Sequence, residues 1–330
     1  MTKPLFSIII PVRHETPHLR ETRSFLKLQT FKSFELLVIT DSVASKYLSD
    51  THHQGPSFKR NLGAKLAAGQ YLAFLDDDSY PSADWLFHAK KIFDLFPQAG
   101  AVCGPCLTPP KDGLFQQASG LFWSSFLGSG GAGSYRNSIK PARYVDDFPS
   151  VNLIVKKSLF NKIGGFDTRR WPGEDTLLCL QITKDHHQKI IYHPALVVYH
   201  HRRPVLLPHL QQSVRYAQSR ADYAKRFPQT SLRLGYLLPS VFAVGLAILP
   251  FLHFSYLLLY PYLFYVLILL LTFFSFLFQG NNLVLSLVAT VVIPITHLAY
   301  GLFFIWGILK TNFIFKPHKI NVKNGQYIGG

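Results

Sequence analysis

From Leu234 to Leu309 the chain carries no Asp, Glu, Lys or Arg, so every formal charge of these kinds lies outside that block. A membrane span needs about 20 apolar residues. The block accommodates about three, with candidates at Leu234 to Leu252, Tyr256 to Phe278 and Leu283 to Leu309. A soluble protein could bury such a block only in three long helices that are apolar on every side. The expectation is therefore an integral membrane protein with its anchor toward the C-terminus.

The N-terminal run Leu5 to Val12 is too short for a signal-peptide core with a cleavage site and reads as a first strand. Residues 1–230 are thus expected on the cytoplasmic face of a membrane, with the plasma membrane of a bacterium as the expected location. The net charge of +16 also raises nucleic acid as a partner. The basic residues, however, gather beside the apolar block (Arg202, Arg203, Arg215, Arg220, Lys225, Arg226, Arg233). Anionic headgroups attract such residues, no nucleic-acid-binding motif accompanies them, and nucleic acid is not expected.

Three cysteines do not make a disulfide framework. Cys103-Gly104-Pro105-Cys106 spells a redox motif, but it follows a strand-like segment and runs into Pro109-Pro110, so the helix start such a thiol needs is lacking.

The stretch Lys59 to Trp85 organises the first half. An apolar-sided helix is followed by Tyr71 to Leu75, a short run apolar throughout, as a strand buried on both faces should be. Asp76, Asp77 and Asp78 come next, just past the strand's end, with Pro81 expected to start a helix. Open α/β sheets bind ligands beyond the carboxyl ends of their strands. Three adjacent acids repel one another, and a divalent cation is a natural counter-charge; a solvated acidic turn is the plainer reading.

Around this stretch strand and helix alternate: strand Leu5 to Val12, helix Pro17 to Gln29, strand Glu35 to Thr40 closing on Asp41, helix Pro81 to Phe96, and a strand near Ala101. That order predicts a mostly parallel sheet flanked by helices. Periodicity breaks down from Pro109 to Tyr144. There the run Gly128 to Ser134 is compatible both with a loop that orders on substrate binding and with a plain surface loop. Strand Ser150 to Val155 and helix Lys157 to Ile163 precede Gly164-Gly165-Phe166-Asp167. Gly173-Glu174-Asp175 then opens another helix, where Asp175 is compatible with a helix cap or with a general base partnered by Glu174. Lys189 to Tyr199 is the last strand and delivers His200, His201, Arg202 and Arg203. From Pro208 to Phe227 an amphipathic helix presents Leu210, Val214, Ala217, Ala221 and Ala224 on one face, suited to the membrane surface.

These motifs, in this order, make the first 230 residues resemble a family 2 glycosyltransferase. The resemblance rests on the Pro11-Val12 strand end, Asp41, Arg60-Asn61-x-Gly63, the Asp76 to Asp78 triplet, Gly164 to Asp167, and Glu174-Asp175. It implies a GT-A fold, a nucleotide-sugar donor (commonly UDP-linked), a Mn or Mg ion, and inversion at the anomeric carbon. By the same resemblance Pro11, Glu15, Asp41, Arg60, Asn61, Asp76 and Asp77 belong to the donor site. Asp78, with Asp76, would hold the metal, and Asp175 would be the catalytic base beside Glu174. Gln212-Ser213-Val214-Arg215-Tyr216 looks like a variant of the Gln-x-x-Arg-Trp motif of membrane-bound members, which implies Arg215 near the donor diphosphate.

The expected organisation is a catalytic domain over 1–204 (donor half 1–110, acceptor half 111–204), a juxtamembrane helix over 205–233, a transmembrane region over 234–310 and a basic tail over 311–330. The expected activity is metal-dependent, inverting sugar transfer to a lipid-linked or glycolipid acceptor in cell-envelope or polysaccharide biosynthesis. The alternative is a silent GT-A-like scaffold subunit, against which the set of mutually repelling acids argues. One conflict stands: three true spans would place Lys310, Lys316, Lys319 and Lys323 outside, against the positive-inside rule; Pro239 and Pro250 in the first span, or Pro261 in the second, are compatible with a re-entrant or interfacial segment instead.

Overall fold

The computed structural model describes residues 3–47, 55–131, 133–252 and 256–310, with the pairs 322–323 and 326–327. The expected basic tail therefore lies largely outside the described residues. The chain divides into two compact units, residues 1–107, 139–200 and 319–330 in one and residues 108–138 and 201–318 in the other.

In chain order the first unit contains β1 (Phe6–Pro11), α1 (Pro17–Lys27), β2 (Phe34–Ile39), α2 (Asp41–Ala44), α3 (Pro56–Leu66), β3 (Tyr71–Phe74), β4 (Ser79–Pro81), α4 (Trp85–Leu95), β5 (Ala99–Cys103) and β6 (Cys106–Leu107). The second unit contributes α5 (Leu114–Ser124) before the first resumes with β7 (Arg143–Val145), β8 (Leu153–Lys156), α6 (Lys157–Ile163), α7 (Glu174–Leu180), β9 (Lys189–Tyr192) and β10 (Val198–His200). The remaining helices are α8 (Leu207–Arg226), α9 (Pro228–Ser231), α10 (Leu234–Ile248), α11 (Tyr256–Phe278) and α12 (Leu283–Lys310).

A seven-stranded sheet in the order β2-β1-β3-β8-β5-β9-β7 forms the frame of the first unit. β1 runs parallel to β2 and β3, β5 runs parallel to β9, and β8 and β7 run against their neighbours. The mixed, mostly parallel α/β architecture is the one the alternation predicts. Both faces are covered, which is why Ile8, Ile9, Ile10, Ala73 and Phe74 are all fully buried. Tyr71 stacks on Phe93 at 4.2 Å and Phe74 packs edge-on to Phe166 at 5.0 Å, so aromatic rings fill both sides of β3.

A smaller sheet, β4-β10-β6, corrects two expectations. Pro81 ends a strand instead of starting a helix, and α4 begins at Trp85. The single strand expected over Lys189 to Tyr199 is two strands in different sheets. His193 and Pro194 divide them, and a proline inside a ladder has no N–H to give. Cys103, Cys106 and Cys179 are buried and none of them is in a disulfide. A Cβ added at Gly104 would lie 2.2 Å from the Leu196 carbonyl, so that glycine serves a close backbone approach.

In the second unit, the stretch without clear periodicity contains α5, and residues 108–138 group with the C-terminal helices. Gly130 is left-handed, and a Cβ there would meet the Gly235 carbonyl at 2.6 Å, so this loop lies back to back with the start of α10. Among the described residues, three helices are long and apolar enough to cross a membrane: Leu234–Phe251, Leu259–Phe278 and Leu283–Lys310.

Candidate active site

The first parallel strands end together, and the expected acids stand at their ends. Val12 and Asp41 follow β1 and β2, and the buried Lys59 ties them: its Nζ donates to the Val12 carbonyl at 2.7 Å and pairs with Asp41 Oδ1. Pro11 is buried beside them. Sequence spacing placed Lys59 only on a helix; its neighbours come from two other strand ends. Glu15 is exposed and pairs with Arg23 at 3.5 Å.

Past β3 the chain turns through Asp76, Asp77 and Asp78, with Ser79 Oγ donating to the Asp76 carbonyl at 2.8 Å. β4 then pairs with β10 in a register that sets His200 opposite Ser79. His200 Nε2 accordingly stands 3.2 Å from Asp78 Oδ1. Asp76, Asp78 and His200 each offer a ligand atom, all within 4.8 Å of one another. Burial, then the charges of Asp78 and Asp76, push the Asp77 carboxyl up to about 6.

Arg60, on α3, is 4% exposed and spans two acids. Its Nη2 donates to Asp76 Oδ1 at 2.6 Å and its Nη1 to Glu174 Oε1 at 2.9 Å. Burial alone would lower its pKa, but Asp76 and Glu174 overcome that and hold it above the ordinary value. Burial and Asp175 push Glu174 upward, and Arg60 pulls it back. Glu174 Oε2 accepts from the Gly173 amide at 3.1 Å, so both its oxygens are engaged.

Asn61, the next residue, is committed to the main chain: Nδ2 donates to the Phe166 carbonyl and Oδ1 accepts from the Phe166 amide, each at 2.8 Å. Gly164 and Gly165 have φ of +91° and +86°, and a Cβ at Gly165 would meet Asn61 Oδ1 at 2.5 Å. The Gly-Gly pair is therefore dictated by backbone conformation and by this clamp. Asp167 accepts from the Arg169 amide at 2.9 Å and from its guanidinium at 3.1 and 3.2 Å. Burial would raise the Asp167 pKa, but those bonds hold it below the usual value.

Asp175 opens α7 one residue beyond Glu174. Its Oδ1 accepts from the Thr176 amide at 2.8 Å and its Oδ2 from the Ser150 amide at 3.4 Å. It remains partly exposed while Glu174 is buried. Arg215 lies exposed on α8 in the second unit, where the neighbouring Gln212 Nε2 donates to Tyr216 Oη at 3.1 Å across one turn. Within the first unit the structure thus joins Arg60, Asp76 and Glu174, brings His200 to Asp78, and turns Asn61 toward the fold. His200 escaped sequence reasoning as a site residue; its signal was only its place after the last strand.

Residues 7–141 match the family model described as Glycosyl transferase family 2. The chain is 24% identical over 246 residues to the pre-mycofactocin glycosyltransferase of Mycobacterium tuberculosis, covering 69% of this chain and 49% of that protein. It is 22% identical over 205 residues to the glucosyl-dolichyl phosphate glucuronosyltransferase of Haloferax volcanii, covering 54% of this chain and 63% of that protein. The chain thus spans about half to under two thirds of the length of these relatives. Among solved structures, the mannosyltransferase PcManGT of Pyrobaculum calidifontis, in complex with GDP-Man and Mn2+, is similar at a TM-score of 0.48 and 18% identity, covering 92% of this chain and 88% of that one.

Proposed function

We propose that this chain, whose residues 7–141 belong to glycosyl transferase family 2, moves a sugar from a nucleotide-sugar donor to a membrane-associated acceptor, with inversion at the anomeric carbon. The observation that carries this reading is the grouping of Asp76, Asp78 and His200 at the strand ends, linked through Arg60 to Glu174 beside Asp175.

Two carboxylate oxygens and an imidazole nitrogen are a donor set that fits a divalent ion. The nitrogen favours Mn2+ over Mg2+, which prefers all-oxygen ligation. When bound, the ion neutralises charge developing on the departing diphosphate. Asp41, held by Lys59, and Glu15 are read as nucleoside contacts, with Pro11 as a wall. Asp77 adds negative charge to the ion's surroundings.

Of the acidic pair, Asp175 is the base, because it keeps exposed carboxylate surface and so can take the proton of an acceptor hydroxyl. Glu174 faces Arg60 and orients α7. Removing the acceptor proton on the side opposite the leaving diphosphate is what in-line displacement requires, and such displacement inverts the anomeric centre. A lipid-linked or glycolipid acceptor suits the apolar helices, and the dolichyl phosphate in one relative's name accords with it.

The test uses membranes carrying the full chain, a panel of UDP- and GDP-linked sugars, and Mn2+ or Mg2+. Donor-dependent labelling of a lipid fraction, lost in Asp175→Asn and Asp78→Asn, is expected. If no donor binds or is turned over with both side chains intact, the reading is wrong.

A further inference from the structure

Within the second unit, α8 and α12 run side by side in the same direction. His209 Nε2 meets Thr296 Oγ1 at 3.1 Å near the start of α8. Near its end, a Cβ added at Gly307 would touch the Ala221 side chain at 2.8 Å, and Lys225 Nζ donates to the Ile308 carbonyl. Thr296 to Ile308 covers about 18 Å of helix. The other two apolar helices follow the same axis. Ser240 Oγ on α10 donates to the Gly301 carbonyl at 3.3 Å, Tyr265 Oη on α11 lies 2.9 Å from His297 Nδ1, and Phe276 packs with Ala289 and Val292.

A helix crossing the hydrocarbon would therefore carry α8 in beside it. α8 bears Arg215, Arg220, Asp222, Lys225 and Arg226, of which Arg215 and Arg226 are exposed. Charged side chains facing lipid at that depth are strongly disfavoured. The expectation that the apolar face of α8 meets lipid is also corrected, since Ala217, Ala221 and Ala224 pack with Phe304 of α12. The opposite side of α12 exposes Leu287, Val291, Ile295, Leu298, Leu302 and Leu309, spaced three, four or seven apart along nearly its whole length.

We infer that α10, α11 and α12 lie along one leaflet of a lipid bilayer rather than crossing it in succession, with α8 on their aqueous side. A stripe that is apolar from end to end on one side and basic on the other matches a surface rich in anionic headgroups. This placement returns the C-terminal end of α12 to the side where α8 lies, which removes the conflict with the positive-inside rule. It holds whether or not the chain transfers sugar.

The full chain is reconstituted in vesicles of zwitterionic and anionic phospholipid, with single cysteine spin labels at Leu287, Leu298 and Leu309 in turn. Cys103, Cys106 and Cys179 are buried, so the unsubstituted chain serves as the labelling control. Depth is read from collisions with oxygen against a polar nickel chelate. The expected result is three depths equal to within about one helical turn, 5 Å. A crossing helix places Leu298 about 15 Å deeper than the ends, half of the roughly 30 Å hydrocarbon core; that profile, or a steady slope from Leu287 to Leu309, overturns the inference. In sealed inverted membranes, tags at the two chain ends should be cleaved together by added protease. Protection of one end alone also overturns it.

Discussion

The Arg60 guanidinium donates to the Glu174 carboxylate at 2.9 Å, joining residues 114 positions apart with both side chains buried. The same group holds Asp76 at 2.6 Å, so α3 fixes the acid at the end of β3 relative to the start of α7. Replacing Arg60 by Met leaves Glu174 buried without its counter-charge, and removing one partner of a buried pair costs about 3–5 kcal/mol. Thermal unfolding should show that loss, with Arg60→Lys intermediate because one ammonium cannot reproduce the fork.

The pH dependence follows from the same pair. In the folded protein Glu174 titrates above its ordinary value of 4.5, through burial and then Asp175. A raised carboxyl contributes stability that is present below 4.5 and is lost as pH rises through the folded value. Arg60 opposes the rise, so Arg60→Met should lose stability more steeply from pH 4.5 upward than wild type does. Equal slopes in the two proteins would refute the coupling.

Asp175→Asn should lower transfer by about 10²–10⁴-fold, the usual contribution of a positioned base. Donor binding, followed by calorimetry or fluorescence, should stay close to wild type. Glu174→Gln is expected to lower both transfer and melting temperature, since its carboxylate serves Arg60 and the Gly173 amide. A Glu174 variant that is fully stable yet as inactive as Asp175→Asn would reverse the two roles.

His200→Ala removes the nitrogen beside Asp78. Mn2+ affinity, measured by electron paramagnetic resonance on the full chain, should fall at least about tenfold, which is about 1.4 kcal/mol. The Mn2+ to Mg2+ preference should fall with it, because only oxygen ligands remain. Unchanged Mn2+ affinity would exclude the imidazole from the ion's shell.

Much of the large sheet was legible in sequence because β1, β2 and β3 are mostly apolar and end at or just before Pro11, Asp41 and the Asp76 triplet; β7, with Arg143 and Tyr144 exposed, gave no such signal. The resemblance to glycosyl transferase family 2 was legible for the same reason, since the motifs that carry it sit at those ends. What escaped was set by long-range register. β4 and β10 have three residues each, too few to show a period, and only their pairing brings His200 to Asp78. Lys59 looks like any helical lysine until Val12 and Asp41 close around it. Asn61, expected at the donor site, has its amide bonded to the Phe166 main chain beside the left-handed Gly165, a contact that spacing alone does not reveal. The α8 stripe was visible, but nothing in its spacing distinguishes α12 from lipid as its partner.

His209 supplies the last prediction. It is fully buried on α8, with Nδ1 3.0 Å from Ser119 Oγ, Nε2 3.1 Å from Thr296 Oγ1 and the Phe122 ring edge-on at 4.7 Å. Burial pushes the imidazole down from 6.5 to about 4, and no carboxylate contributes to that shift. A depressed folded value means the unfolded chain binds the proton more readily, so the stability is fully present above 6.5 and drains away as pH falls toward 4. A shift of this size corresponds to about 3 kcal/mol at roughly 1.4 per unit. Melting temperatures of wild type and His209→Gln, taken between pH 7 and 4, should therefore converge: the variant starts lower, having lost part of its bonding to Ser119 and Thr296, but declines less with acid. Parallel decline of the two curves would mean that another group sets the acid sensitivity, and that the junction of α5, α8 and α12 tolerates a charged imidazole.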